Sequence, residues 1–429
     1  MSSHSALSDE AREHIESVGK ADILVGIPSY NNEATIEHVV RAVQFGLAKY
    51  FPRQRSVLMN SDGGSRDKTR QIVQKTSVYG DLDLIFVENP VRPVRSLATP
   101  YHGILGKGSA FKAIFEVADR LSVKACILVD SDLRSISPEW VELLGAPVLL
   151  KEYDFVAPFY SRHKYDGTIT NAIAYPLTRT LYGRRLRQPI GGDFCVSRKL
   201  LKNFLQQDVW GTDVARYGID IWMTTTAINE GFKLCQSFLG AKVHDAKDPG
   251  KYLGPMFKQV VGTLFRLMGR YQNRWKAVKK SRPIALYGFK SDISPPEVEV
   301  DVERLLEQFQ AGVKERIDYW STILPKPRTT QIRKLTQLSK KQFHFPDELW
   351  VKIVYDFAIA YHRQESNQED EKDYVVESLV PLYFGRTVSF VMETWDMDTY
   401  EAEELVERLA GKFEAAKSYL VKHWSFGKK

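Results

Sequence analysis

The sequence predicts an α/β fold: a mainly parallel sheet flanked by helices, followed by a C-terminal α-helical domain. Three observations predict it. Short apolar runs alternate with helix-spaced segments from residue 22 onward; polar clusters, several rich in glycine, stand at the ends of the apolar runs; and beyond about residue 250 the pattern turns amphipathic and helical. At 429 residues the chain is too long for one small core. The reading is a polar helical extension over 1–20, an α/β domain over 21–250 and a mostly helical domain over 251–429.

In order, "DILVGIPSYNN" (22–32) is a strand stopped by Pro28 and an asparagine pair. Ile36, Val39, Val40, Val43 and Leu47 then recur at helical spacing. "QRSVLMNSDGGSRDKTRQIVQK" repeats strand, glycine turn and helix, and "LDLIFVEN" (82–89) is a third strand before a loop with Pro90, Pro93 and Pro100. A helix from about Ser109 to Leu121 leads into "ACILVDSDLRS" (125–135). Further strands are read in "YDFVAPFYS" and "FKLCQSFLGAKVHD", with helices near 172–183 and 198–206. Strands alternating with helices give a sheet covered on both faces, whose ligands sit at the carboxyl ends of the strands. Beyond the Pro295-Pro296 break, Val302, Leu305, Leu306, Phe309, Val313, Ile317 and Trp320 form one helical stripe. The acidic run "RQESNQEDEKD" (363–373) reads as a solvated inter-helix loop.

Composition bounds the class. Hydrophobic content of 43% and charged content of 26% are ordinary for a globular chain, and a net charge of +7 is a mild excess over this length. No dense basic block is interleaved with aromatics, which argues against nucleic acid as partner. Cys126, Cys195 and Cys235 lie far apart without a CxxC pair and read as reduced core residues. The N-terminus carries no apolar signal region, and no stretch reaches the ~18 uninterrupted apolar residues of a membrane span. A cytoplasmic location is the expectation.

Chemistry concentrates at the strand ends. Asp130 and Asp132 close an apolar run, and hard divalent cations need only one or two carboxylates beside water and phosphate oxygens. Asp, Ser and Asp are equally good helix caps, so this stretch alone leaves both readings open. "IPSYNNE" (27–33), "NSDGGSRDKT" (60–69), "GKGSA" (106–110), "VDSDL" (129–133) and "GGDF" (191–194) follow one another in register.

That succession resembles the nucleotide-sugar glycosyltransferases of the GT-A fold. "KYDGTITNAIAYPLTRTLYG" (164–183), "RQPIGGDFCVSRKLL" (187–201), "RYGIDIWMTTTAINEGF" (216–232) and "AKVHD" (241–245) resemble the glucosyl-3-phosphoglycerate and glucosylglycerate synthases of glycosyltransferase family 81. The resemblance implies a metal-dependent, retaining hexosyltransferase of compatible-solute synthesis. Mg²⁺ or Mn²⁺ would sit on Asp132 and His244. Pro28, Tyr30, Asn32, Glu33, Ser61, Asp62, Lys107, Asp130, Ser131, Gly191, Gly192 and Tyr217 would hold the nucleotide sugar, with Asp62 at the base edge. Asp220 and Asp193 would stand with Asp132 as the catalytic carboxylates. UDP-glucose is the favoured donor, with a GDP-sugar and mannose as alternatives. A homodimer is expected.

The acceptor segment departs from the pattern. Arg162, Gly167, Thr168 and Thr170 would meet a small hydroxy acid, but Thr168 stands where phosphoglycerate-using relatives carry an arginine. Asp245 and Ala246 stand where they carry Arg and Asn. A carboxylate in place of a bidentate guanidinium makes a poor phosphate site, which favours D-glycerate over 3-phosphoglycerate. Arg162, His163 and Lys164 remain to bind a carboxylate. Two alternatives stay open: an inverting transferase to a polyprenyl phosphate, using the basic amphipathic segment 251–280, and a non-catalytic nucleotide-sugar-binding scaffold.

Overall fold

The computed structural model describes residues 9–76, 83–88, 106–244, 249–290, 295–364 and 368–424. The proline loop expected at 90–100 and the residues Asp245 and Ala246 lie outside them. Ten strands are described: β1 (Ile23–Ser29), β2 (Ser56–Asp62), β3 (Asp83–Glu88), β4 (Ala125–Leu128) and β5 (Phe155–Ser161), then β6 (Arg184–Arg185), β7 (Phe194–Ser197), β8 (Leu234–Ala241), β9 (Arg282–Pro283) and β10 (Leu286–Tyr287). Eight of them form one sheet in the order β10-β8-β5-β7-β4-β1-β2-β3. All neighbours in it run parallel except β7, which is antiparallel to both β4 and β5.

The expected mainly parallel sheet with flanking helices is therefore present. The reversed β7 and the two-residue β10 were not anticipated, because short strands carry too few residues to show a period. Fully buried Ile23, Val25, Ile27, Ala125 and Ile127 pack against Val39, Val40 and Val43 of the helix Ile36–Tyr50. Near-continuous apolar runs suit strands covered on both faces. All three cysteines are buried and reduced within this core.

The chain divides into two compact units whose segments alternate. One comprises Met1–Ser161, Ile190–Asp245 and Ile284–Pro295; the other comprises Arg162–Pro189, Ala246–Pro283 and Pro296–Lys429. A single boundary at 250 is thus too simple: residues 162–189 belong with the helical unit and 284–295 return to the sheet unit. Side-chain chemistry explains the first exchange. Arg179 pairs with Glu407 at 2.6 Å and Glu414 at 3.2 Å, and Arg187 pairs with Glu403 at 2.5 Å, tying 175–187 to the helix Thr399–Ala415.

In the helical unit, the helix Val302–Ile323 buries every residue of the predicted stripe. It packs on Glu369–Glu393, the one described helix long and apolar enough to cross a membrane; 72% of its apolar window is buried inside the protein. The acidic run at 363–373 is not simply a loop: Glu369, Asp370 and Glu371 form the first turn of that helix, where negative charge complements the dipole.

Two predictions follow from this packing. A Cβ on Gly312 would lie 2.2 Å from Pro381 Cβ, so Gly312→Ala should overpack the contact and cost about 1–3 kcal/mol, read as a lower urea midpoint. Burial lowers the pKa of Lys417 to about 8 while its Nζ donates to the carbonyls of Thr180 and Val278. Between that value and the ordinary lysine range the unfolded chain binds the extra proton, so stability contributed at this site should rise with pH. The slope of unfolding free energy from pH 8 to 10 should therefore be shallower in Lys417→Met than in the wild type.

Candidate active site

β1 has β2 on one side and β4 on the other, and the sheet continues outward in both directions from it. In open α/β sheets such a switch point leaves a crevice beyond the carboxyl ends of the strands. The loops after β1, β2 and β4 end there, and reversal of β7 adds a loop that precedes a strand. Leu128 pairs with Phe194, so Gly191, Gly192 and Asp193 arrive beside Asp130. The Asp130 N–H donates to Asp193 Oδ1 at 2.8 Å.

Five charged side chains meet at this point. Lys107, the first residue of the helix Lys107–Arg120, places Nζ 2.8 Å from Asp130 Oδ1 and 3.5 Å from Asp220 Oδ1. Lys242, just past β8, donates to Asp130 Oδ2 at 2.9 Å, Asp193 Oδ2 at 2.8 Å and the Gly191 carbonyl at 2.9 Å. The Tyr160 hydroxyl donates to Asp193 Oδ2. Burial opposes ionisation of Asp130, yet the two lysines outweigh it and hold the carboxyl well below its usual range. Burial likewise opposes the charge on Lys107, which Asp130 and Asp220 override, keeping its pKa above the ordinary lysine value. Asp193 and Asp220 are pushed up, chiefly by burial.

The Asp130-Ser131-Asp132 turn is no helix cap, since the next helix begins only at Glu139. Leu133 forms an antiparallel bridge with His244, and the Arg134 N–H donates to the Val243 carbonyl at 2.9 Å. Asp132 and His244 thus belong to adjacent, paired segments, both half-buried. The Asp132 carboxylate suits Mg²⁺ or Mn²⁺, and the His244 imidazole adds a nitrogen donor of the kind transition metals accept. Among the described residues no three His, Cys, Asp or Glu form a metal cluster by themselves. An open shell completed by water and substrate oxygens is the arrangement these two residues fit.

Several predicted contacts are structural instead. Asp62 is fully buried and accepts from Ser29 Oγ (2.9 Å), the Gly64 N–H (3.0 Å), the Ser65 N–H (2.7 Å) and Ser65 Oγ (2.6 Å). With both oxygens doubly occupied, it forms the turn and does not present an edge to a base. Ser61 is fully buried within β2. Ser131 Oγ donates to Asn32 Oδ1 at 2.8 Å and its carbonyl accepts from Thr35 Oγ1, fastening the loop after β1 to the aspartate turn. Asn32 and Glu33 in turn lace to the loop after β2: the Asn32 N–H donates to Thr69 Oγ1 (2.7 Å), and Glu33 Oε2 accepts from the Lys68 N–H (3.1 Å). Pro28, Tyr30 and Tyr217 stay half-buried at strand and helix ends. Asp193 is enclosed by three donors and cannot act as a base on substrate. Asp220 lies in the first turn of Ile219–Asn229, as a dipole-stabilising acid does, and also faces Lys107.

The residues expected to meet an acceptor lie in the second unit. Arg162 pairs with Asp166 at 3.5 Å, Gly167 turns with φ +74°, and Thr170 is buried. The buried Thr168 hydroxyl lies 2.5 Å from Tyr383 Oη. Lys164 donates to the carbonyls of Thr394, Trp395 and Met397, closing the end of Glu369–Glu393, so it is not available to a carboxylate.

Lys242 and Tyr160 were missed. Alternation along "AKVHD" sets Lys242 on the same side as His244, a legible signal, whereas nothing near Tyr160 marks it in sequence.

No protein-family profile matches the chain, and no curated protein matches it. Among solved structures it is similar to glucosyl-3-phosphoglycerate synthase from Mycobacterium tuberculosis in complex with Mn²⁺, UDP and glucosyl-3-phosphoglycerate: 25% identity over 60% of this chain and 84% of that one, TM-score 0.45. The Mg²⁺ and UDP complex of the same enzyme matches at 25% identity, 60% and 83% coverage and TM-score 0.45. A complex with Mn²⁺, UDP-glucose and glycerol 3-phosphate matches at 24% identity, 60% and 84% coverage and TM-score 0.43. The functional reading rests on the site's own geometry.

The reassignment of Asp62 is testable. Asp62→Asn turns two acceptor positions into donors facing donors and should cost about 1–3 kcal/mol of stability. It should show as a lower unfolding midpoint with no change in preference between uridine and guanosine nucleotides in a binding titration.

Proposed function

We propose that this protein is a divalent-metal-dependent glycosyltransferase that moves a hexose, glucose by preference, from a nucleoside-diphosphate sugar to a small hydroxylated acceptor. One observation carries the reading: the Leu133–His244 bridge sets Asp132 and His244 on paired segments beside the Lys107–Asp130–Asp220 charges, at the switch point of the sheet. A strand-end carboxylate, an imidazole and a lysine converging there suit a diphosphate and its cation, and are costly to bury for stability alone.

Asp132 and His244 would hold a divalent cation, which would supply positive charge to a diphosphate leaving group. The protein's own part is positional. Lys107 offers a second cation to the same phosphates once it gives up part of its contact with Asp130. Asp220 presents a carboxylate to sugar hydroxyls from the start of its helix. The loop after β1, laced to the loops after β2 and β4, supplies a rigid floor for the nucleoside.

Stereochemistry follows from what is enclosed. An inverting reaction needs a carboxylate base on the face opposite the leaving group. Asp193 is sealed in, and Asp220 is paired with Lys107. Their engagement favours a retaining course in which the departing phosphate oxygen takes the acceptor proton. For the acceptor, the sequence carries Thr168 where phosphoglycerate-using relatives carry an arginine, which favours D-glycerate or a similar molecule over a phosphorylated one.

Incubation with UDP-glucose or GDP-glucose, Mn²⁺ or Mg²⁺, and D-glycerate, 3-phosphoglycerate or glycerol 3-phosphate tests this, with NMR of the product anomer. The expected outcome is an α-glucoside formed from the unphosphorylated acid. Asp132→Asn and chelation by EDTA should each lower turnover by at least about 100-fold. Turnover that survives both would remove the metal from the reading.

A further inference from the structure

We propose that Lys242 is the positioning residue of the donor-sugar pocket: it clamps Gly191, Asp130 and Asp193 together and so sets the wall against which the sugar sits. The inference rests on the glycosyltransferase reading above.

An ammonium has three N–H donors and no acceptor. Those of Lys242 are accounted for by Asp130 Oδ2, Asp193 Oδ2 and the Gly191 carbonyl, all within 2.8–2.9 Å. Its side chain is only 4% exposed, and its charge also lies 5.1 Å from the Tyr160 ring centroid. Such a group has nothing left for a ligand. Lys107 differs: it is 16% exposed, its carboxylate contacts lie at 2.8 and 3.5 Å, and its charge lies 5.3 Å from the Phe111 ring centroid. One lysine faces the crevice and the other is its frame.

The frame joins three strand ends. Asp130 follows β4, Asp193 precedes β7 and Lys242 follows β8, so one Nζ fixes the mutual distance of three loops. The wall tolerates little change. Gly192 adopts φ +94°, and a Cβ there would lie 2.0 Å from Asp130 Oδ2 and 2.9 Å from Lys242 Nζ. The glycine backbone therefore rests directly on the carboxylate that Lys242 holds. Loss of the clamp would free Gly191 and leave two adjacent carboxylates sharing the space, displacing the wall more than the nucleoside floor, which Asp62, Ser65 and Thr69 also brace. Misplacement by about 1 Å costs roughly 100-fold in rate.

The test compares wild type, Lys242→Arg, Lys242→Met and the double variant Asp193→Asn/Lys242→Met, in which removal of one acid offsets the lost cation and guards against misfolding. UDP and UDP-glucose binding with Mn²⁺ are measured by calorimetry, beside steady-state turnover. In Lys242→Met and the double variant, UDP should bind within about threefold of wild type, while kcat/KM for UDP-glucose falls about 100-fold. Lys242→Arg should recover a substantial part of the loss. Equal losses in UDP and UDP-glucose binding would overturn the proposal, as would a folded double variant with wild-type kinetics. If the wild type neither binds nor turns over a nucleotide sugar, the glycosyltransferase reading fails first and takes this one with it; wild-type turnover with unaffected variants sinks only the role of Lys242.

Discussion

The reversal of β7 is the constraint on which the site depends. A purely parallel sheet brings to its carboxyl edge only loops that follow strands. Inserting one antiparallel strand between β4 and β5 brings a loop that precedes a strand to the same edge, and with it Gly191, Gly192 and Asp193. That loop lands on a second carboxylate, Asp130. Two acids so close repel, all the more with Asp193 fully buried, and Lys242 between them makes the arrangement tenable.

From that pairing follows a division among residues that look alike. Asp193 and Asp62 are enclosed and determine backbone geometry, whereas Asp132 is only half-buried on its turn. Lys242 is saturated by protein acceptors, and Lys107 faces the crevice. Accessibility separates frame from chemistry here, and residue type does not.

Much of this was legible. The strand–helix alternation, the apolar stripe from Val302 to Trp320 and the order of the polar strand ends all come from local periodicity, which side-chain burial enforces residue by residue. The pairing of the aspartate turn with His244 comes from the family resemblance, since no local rule pairs them. Asp62 reads as a base contact in sequence because an aspartate in a glycine-rich turn looks the same whether its oxygens face a ligand or, as here, its own turn. The boundary at 250 was too simple because the ion pairs of Arg179 and Arg187 reach more than 200 residues along the chain.

By itself the sequence determined which segments become strands and helices and which polar residues stand at strand ends, because those depend on spacing over a few residues. Only the tertiary structure decided that β7 runs backwards, that 162–189 leaves the sheet unit, and that Lys242 bridges Asp130 and Asp193. The physical reason is that these outcomes depend on desolvated charges finding partners distant in sequence. That energy does not exist until the loops are brought together.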